Sequence, residues 1–148
     1  MKATLSAKQK KAPAFVINSN KTYRDFHWED LVRKGVACTG GDIEYGERLR
    51  KLLRGSRLFL YVNRIGIVAE GTVVSEWNGR ANRPSLVWKR KTEYSVGVRW
   101  TKRATENQAV SLDELRRIGL PRCRHTLFSV ESGVAGEISA MLSGRIRR

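Results

Sequence analysis

Asn18, Ser19 and Asn20 stand in a row at the end of a short apolar run and are followed at once by Lys21, with Arg24 just beyond. Short amide and hydroxyl groups suit the donor and acceptor edge of a nucleobase, and the cations suit flanking phosphates. The same residue types also make an ordinary turn after a strand. A second group centres on Trp88, followed by Lys89, Arg90 and Lys91 and preceded by Arg80 and Arg83. An aromatic ring among cations suits a strand of nucleic acid, with the base stacked and the backbone neutralised. The competing role for Trp88 is a core anchor that pins a long loop. Trp77 offers an opposite wall, although a tryptophan at a strand end also packs readily against a sheet. A base is read only when unstacked or flipped, which costs a few kcal/mol in a duplex, so aromatic walls and edge hydrogen bonds must offset that cost.

Other chemistry finds little support. Cys38 and Cys123 form no Cys-x-x-Cys pair, and His27 and His125 are isolated, so no metal site and no cofactor are expected. Both thiols read as reduced and partly buried, and both imidazoles as surface or structural groups. Trp28 and Trp100 fall on periodic apolar faces and read as core. The side to which Tyr61 points depends on strand register.

The charge narrows the partner class. The chain has 148 residues, 41% of them hydrophobic, and a formal charge of +15. That length packs one domain well and two poorly. A positive field of this size favours polyanions through counterion release, with nucleic acid foremost. No run of about 18 apolar residues is present, so a cytoplasmic protein that spans no membrane is expected. Residues 1–12 carry four lysines and no acid. They read as a disordered basic arm ahead of a single domain over 13–148.

The elements that must position these groups are legible locally. Ala14 to Asn18 reads as a buried strand. Trp28, Leu31 and Val32 share a helical face that Gly35 terminates, and Val36 to Thr39 reads as a second strand. Tyr45, Leu49, Leu52 and Leu53 recur at helical spacing, which predicts an amphipathic helix ending at Gly55. Arg57 to Ser75 reads as a hairpin, and Asn78 to Thr92 as a loop with five basic residues and no acid. Tyr94 to Thr101 alternates as a strand. Ser111 and Glu114 form a capping box for a short helix closed by Gly119 and Pro121. Thr126 to Val130 predicts the last strand, and Val134, Ile138, Met141 and Leu142 stripe a final helix.

The hairpin, preceded by Gly55 to Arg57 and carrying Gly-Ile-Val-Ala-x-Gly from Gly66 to Gly71, resembles the central hairpin of PUA-like domains, and in particular the EVE and YTH branches. Phe15 to Asn20, the helix ending at Gly35 and the strand after it resemble the opening of a YTH domain. Tyr94 to Trp100 with Ser111 to Arg116 resembles its later strand and helix. Together these segments cover most of residues 14–143. Ala37 stands where YTH domains supply a pocket tryptophan, so the chain is more similar to the broader EVE group.

The resemblance implies an α+β, PUA-like mixed β-barrel or curved sheet with short peripheral helices. It also implies a nucleic-acid-binding module that reads a flipped or unpaired, modified base and catalyses nothing. The base pocket would comprise Asn18, Ser19, Asn20, Trp77 and Trp88, and the phosphate rim Lys21, Arg24, Arg80, Arg83, Lys89, Arg90 and Lys91. DNA or RNA would be the partner, with a separate effector acting on what is read. Two alternatives come from other classes. ASCH domains share the fold, and some resemble small amidohydrolases that act on modified nucleosides through a lysine, a threonine and a glutamate. Lys21, Thr22 and Glu70 could imitate that set, although adjacent side chains on an extended segment point apart. A non-specific RNA-binding PUA-like protein would instead use phosphate contacts alone.

Overall fold

The computed structural model describes residues 13–19, 27–88, 92–120 and 126–146. The basic arm, Cys123 and His125 lie outside them. In chain order the elements are β1 (Ala14–Ser19), α1 (Trp28–Lys34), β2 (Val36–Gly40) and α2 (Ile43–Arg48), which tightens into a 3-10 turn (Leu49–Lys51). The hairpin β3 (Arg57–Val62) and β4 (Gly66–Ser75) follows, then β5 (Glu93–Arg103), a 3-10 turn (Glu106–Gln108), α3 (Leu112–Arg117), β6 (Leu127–Val130) and α4 (Ser132–Ile146).

Six strands form one sheet in the order β2-β5-β4-β3-β1-β6. Only β1 and β3 run parallel, in the register Phe15 to Leu58 and Asn18 to Tyr61. The other four pairings are antiparallel. Register shifts at Leu60/Tyr61 in β3, and at Glu70/Gly71 and Val73/Ser75 along β4, bend the strands. The sheet curls into a half-barrel with helices at its periphery, the expected α+β, PUA-like architecture.

Alternation along each strand builds two cores. Phe15, Ile17, Leu58, Leu60, Val68 and Val96 face α1, which adds Trp28 and Leu31, and the first 3-10 turn, which adds Leu49 and Leu52. Val16, Phe59 and Ile67 face the other way, against Leu115 of α3 and Ile138 and Leu142 of α4. Tyr61 belongs to this second core. Gly66 is fixed by geometry, because its φ is +124° and a Cβ there would lie 2.0 Å from the Val110 carbonyl oxygen. The strand must pass that close for Ile67 and Val110 to exchange backbone hydrogen bonds of 2.9 and 3.0 Å.

The helix read through to Gly55 is shorter in the structure. Helical geometry stops at Arg48, and the 3-10 turn replaces the 3.6-residue period with one of three. Leu49 and Leu52, three residues apart, are thereby both fully buried, while Leu53 is 55% exposed. No helix among the described residues is long and apolar enough to cross a membrane.

The capping box is present. Ser111 Oγ accepts from the Glu114 N–H at 3.3 Å, and Glu114 Oε1 accepts from the Ser111 N–H at 3.1 Å. Arg145 of α4 also donates to the Glu114 carboxylate and to the Ala109 carbonyl at 2.7 Å. The hydrogen bond from Arg145 is the largest cause holding the Glu114 pKa down at about 2. A carboxylate whose folded pKa is depressed adds stability above its unfolded value, and that stability fades as pH falls. Stability should therefore drop between about pH 4.5 and 2. Arg145→Gln should flatten that acid limb when unfolding midpoints in denaturant are compared at pH 6 and pH 3.

Candidate nucleic-acid interface

The connection from β4 to β5 is organised by one buried acid. Glu93, the first residue of β5, is 0% exposed. Its Oε1 accepts from Asn82 Nδ2 at 2.7 Å and from the Leu86 N–H at 2.6 Å. Its Oε2 accepts from the N–H groups of Val87 and Trp88 at 2.8 and 2.7 Å. Four donors on one carboxylate compensate its removal from water. Asn82 Nδ2 also donates to Ser95 Oγ at 2.9 Å. Its backbone N–H donates to the Glu93 carbonyl at 2.7 Å. Lys34, at the end of α1, donates to the Leu86 carbonyl.

Two tryptophans lock the loop from below. Trp77 Nε1 donates to the Arg80 carbonyl at 2.8 Å, and its ring meets Tyr94 edge-on at 5.8 Å between centroids. Tyr94 in turn donates its hydroxyl to the Gly41 carbonyl at 2.9 Å. The Trp88 ring lies over Gly40 so closely that a Cβ there would stand 2.4 Å from the ring. Both indoles are 8% exposed. The core-anchor role weighed for each is therefore the one their packing fills.

Above them, Asn78, Arg80, Ala81, Asn82, Arg83, Pro84 and Leu86 line an open cavity of about 680 Å³, with no acid among the described residues that line it. Asn78 Oδ1 accepts from the Arg80 N–H at 2.9 Å, a tight local turn. The Arg80 and Arg83 side chains are exposed and form no ion pair among the described residues.

The remaining site residues lie elsewhere or beyond view. Asn18 is partly exposed on β1, three ladder steps from β5, and its backbone N–H donates to the Thr126 carbonyl at 2.8 Å. Ser19 closes β1. Asn20, Lys21, Arg24, Lys89, Arg90 and Lys91 lie outside the described residues. The structure thus groups Trp77, Arg80, Arg83 and Trp88 on one connection and leaves Asn18 on another strand. Of the set considered for amidohydrolase chemistry, Lys21 and Thr22 are also outside the described residues. Glu70 is held by Arg57 Nε at 2.9 Å and Lys102 Nζ at 3.3 Å, with Lys102 also 2.5 Å from Ser139 Oγ. Among the described residues no cluster of His, Cys, Asp or Glu could hold a metal ion. Cys38 is 3% exposed, and burial, then the Glu93 charge, push its thiol pKa up.

Sequence reading missed Glu93, Gly40 and Arg50. Glu93 had a signal, as the first acid after a long acid-free basic stretch. Gly40 had none, since its need is set by a ring 48 residues away.

Glu93→Gln would turn an amide N–H₂ toward donors and strand at least one of them. We expect a loss of about 2–3 kcal/mol, with faster hydrogen exchange at the amides of Leu86, Val87 and Trp88. Gly40→Ala should displace the Trp88 ring, cost on the order of 1–3 kcal/mol, and shift tryptophan emission to the red.

No family model and no curated protein matches the sequence. Solved structures do match in shape. The YTH domain of mmi1, solved with RNA, aligns with a TM-score of 0.64 at 11% identity, over 94% of this chain and 88% of that one. Human THYN1, solved with DNA containing 5-methylcytosine, gives 0.55 at 16% identity, over 88% and 98%. The Pho92 YTH domain, solved with m6A, gives 0.55 at 14% identity, over 88% and 83%. The chain therefore has the PUA-like fold of EVE and YTH domains, as the order and spacing of its segments led one to expect.

Proposed function

We propose that this protein binds nucleic acid and reads an unpaired or extruded, modified base, without catalysing a reaction. The observation that carries the reading is the β4–β5 loop, held rigid from inside by Glu93 while Arg80 and Arg83 point outward around an acid-free cavity. A preorganised basic surface loses little entropy on binding and neutralises phosphates. Support also comes from the three proteins of the same fold solved with methylated DNA, RNA or a methylated base.

In this reading Asn18, Ser19 and Asn20 meet the base edge, with Trp77 and Trp88 as the aromatic wall. Lys21, Arg24, Arg80, Arg83, Lys89, Arg90 and Lys91 hold the backbone. Residues 1–12 act as a basic arm beside a single domain over 13–148, and a separate effector acts on the bound strand. The burial of both indoles favours a second reading, in which binding rests on phosphates alone.

The test is binding of short single- and double-stranded DNA and RNA, with and without methylated cytosine or adenine, at low and moderate salt. A preference for modified strands that survives moderate salt is the expected outcome, and Trp88→Ala should reduce it. Uniform binding that vanishes with salt would leave the phosphate-only reading in its place.

A further inference from the structure

The cations of the first 3-10 turn are not used by the site described so far. Arg48, Arg50, Lys51 and Arg54 are all exposed within seven residues of chain. The turn has a three-residue period, so Arg48 and Lys51 eclipse on one row while Leu49 and Leu52 fill another and are buried. Arg54, also exposed, lies beyond the turn, its backbone N–H held by the Glu76 carboxylate at 3.0 Å. Burial of the leucines thus forces the cations outward.

Arg50, between these cations in sequence, abuts the β4–β5 loop. The Arg50 guanidinium lies 4.7 Å from the centre of the Trp77 ring. Its Nη2 stands 3.8 Å from where a Cβ would sit on Gly79, the residue before Arg80. Arg50 is paired with Glu47 at 2.5 Å, whereas Lys51 and Arg54 form no ion pair among the described residues. Arg48 is set over the Tyr45 ring at 4.9 Å. The turn thus meets the loop where Arg50 reaches Trp77 and Gly79, and Arg80 and Arg83 lie further along the same connection.

We infer that Arg48, Lys51 and Arg54 form a second phosphate track, which holds the backbone of nucleotides flanking those bound at the loop. The ligand is then a strand long enough to lie across both, and not a short oligonucleotide bound at the loop alone. The inference rests on the proposed function for the ligand being nucleic acid. Continuity with Arg80 and Arg83 selects a phosphodiester backbone over an acidic protein.

The experiment compares the wild type, the triple variant Arg48→Gln/Lys51→Gln/Arg54→Gln, and a control variant Arg116→Gln/Arg117→Gln on α3. Each is titrated with a 4-mer and a 20-mer of single-stranded nucleic acid over a range of salt. The triple variant should bind the 20-mer about tenfold more weakly and lower its salt slope by about 2, since each phosphate contact on a single strand adds roughly 0.7. Its 4-mer binding should match the wild type, and the control should change neither. A 20-mer affinity and slope equal to wild type, or an equal loss in the control, would overturn the track. The base-reading proposal is scored separately, by the ratio of modified to unmodified strand bound by the wild type. A ratio of one with an intact length effect would sink that proposal and leave the track standing.

Discussion

A single buried carboxylate sets the path of the connection from β4 to β5. Glu93 begins β5 with no exposure to water and gathers the side chain of Asn82 and the backbone N–H groups of Leu86, Val87 and Trp88. An unpaired charge at that depth would cost several kcal/mol, so the loop must adopt the path that delivers those donors. Everything else about the loop follows from that path. Trp88 falls over Gly40, Asn82 bridges to Ser95, and the arginines are left on the outside. The arrangement also turns this acid inward, where four donors hold it, and leaves Arg80 and Arg83 exposed on the outside.

Both indoles are already packed, Trp88 against Gly40, and Trp77 edge-on with Tyr94 and beneath the Arg50 guanidinium. Stacking a nucleobase on either ring would have to displace those contacts, whereas edge contact would leave them in place. The exposed Arg80 and Arg83 need no such rearrangement. In the proposed reading, affinity and selectivity would therefore have different structural origins, the first in exposed guanidinium groups and the second at the buried rings and at Asn18.

Local chemistry made most of the scaffold readable. Ser111 and Glu114 announce a helix start because each satisfies the other's backbone N–H, and alternation in Ala14 to Ile17 separates the two faces of β1 into the two cores. The helix through Tyr45 to Leu53 was overextended for an equally local reason. Leucines at Leu49 and Leu52 fit both a 3.6-residue and a three-residue period, and tertiary burial chose the tighter one. The site was less legible. The degree to which Trp77 and Trp88 are buried depends on Gly46 and Gly40, which leave room for the rings and lie far away in sequence. Nothing in the residues beside a tryptophan encodes a missing Cβ across the sheet.

The place of β1 in the sheet has a consequence for how the chain is assembled during synthesis. β1 pairs on one side with β3 and on the other with β6, whose residues emerge more than a hundred positions later. Until then its outer backbone groups have no ladder to join, and the apolar face that β1 shares with Phe59 lacks the cover of α4. Such long-range pairing delays closure of the native topology. A nascent chain of this protein thus completes this sheet only after β6 has emerged, and the second core only after α4 has followed it.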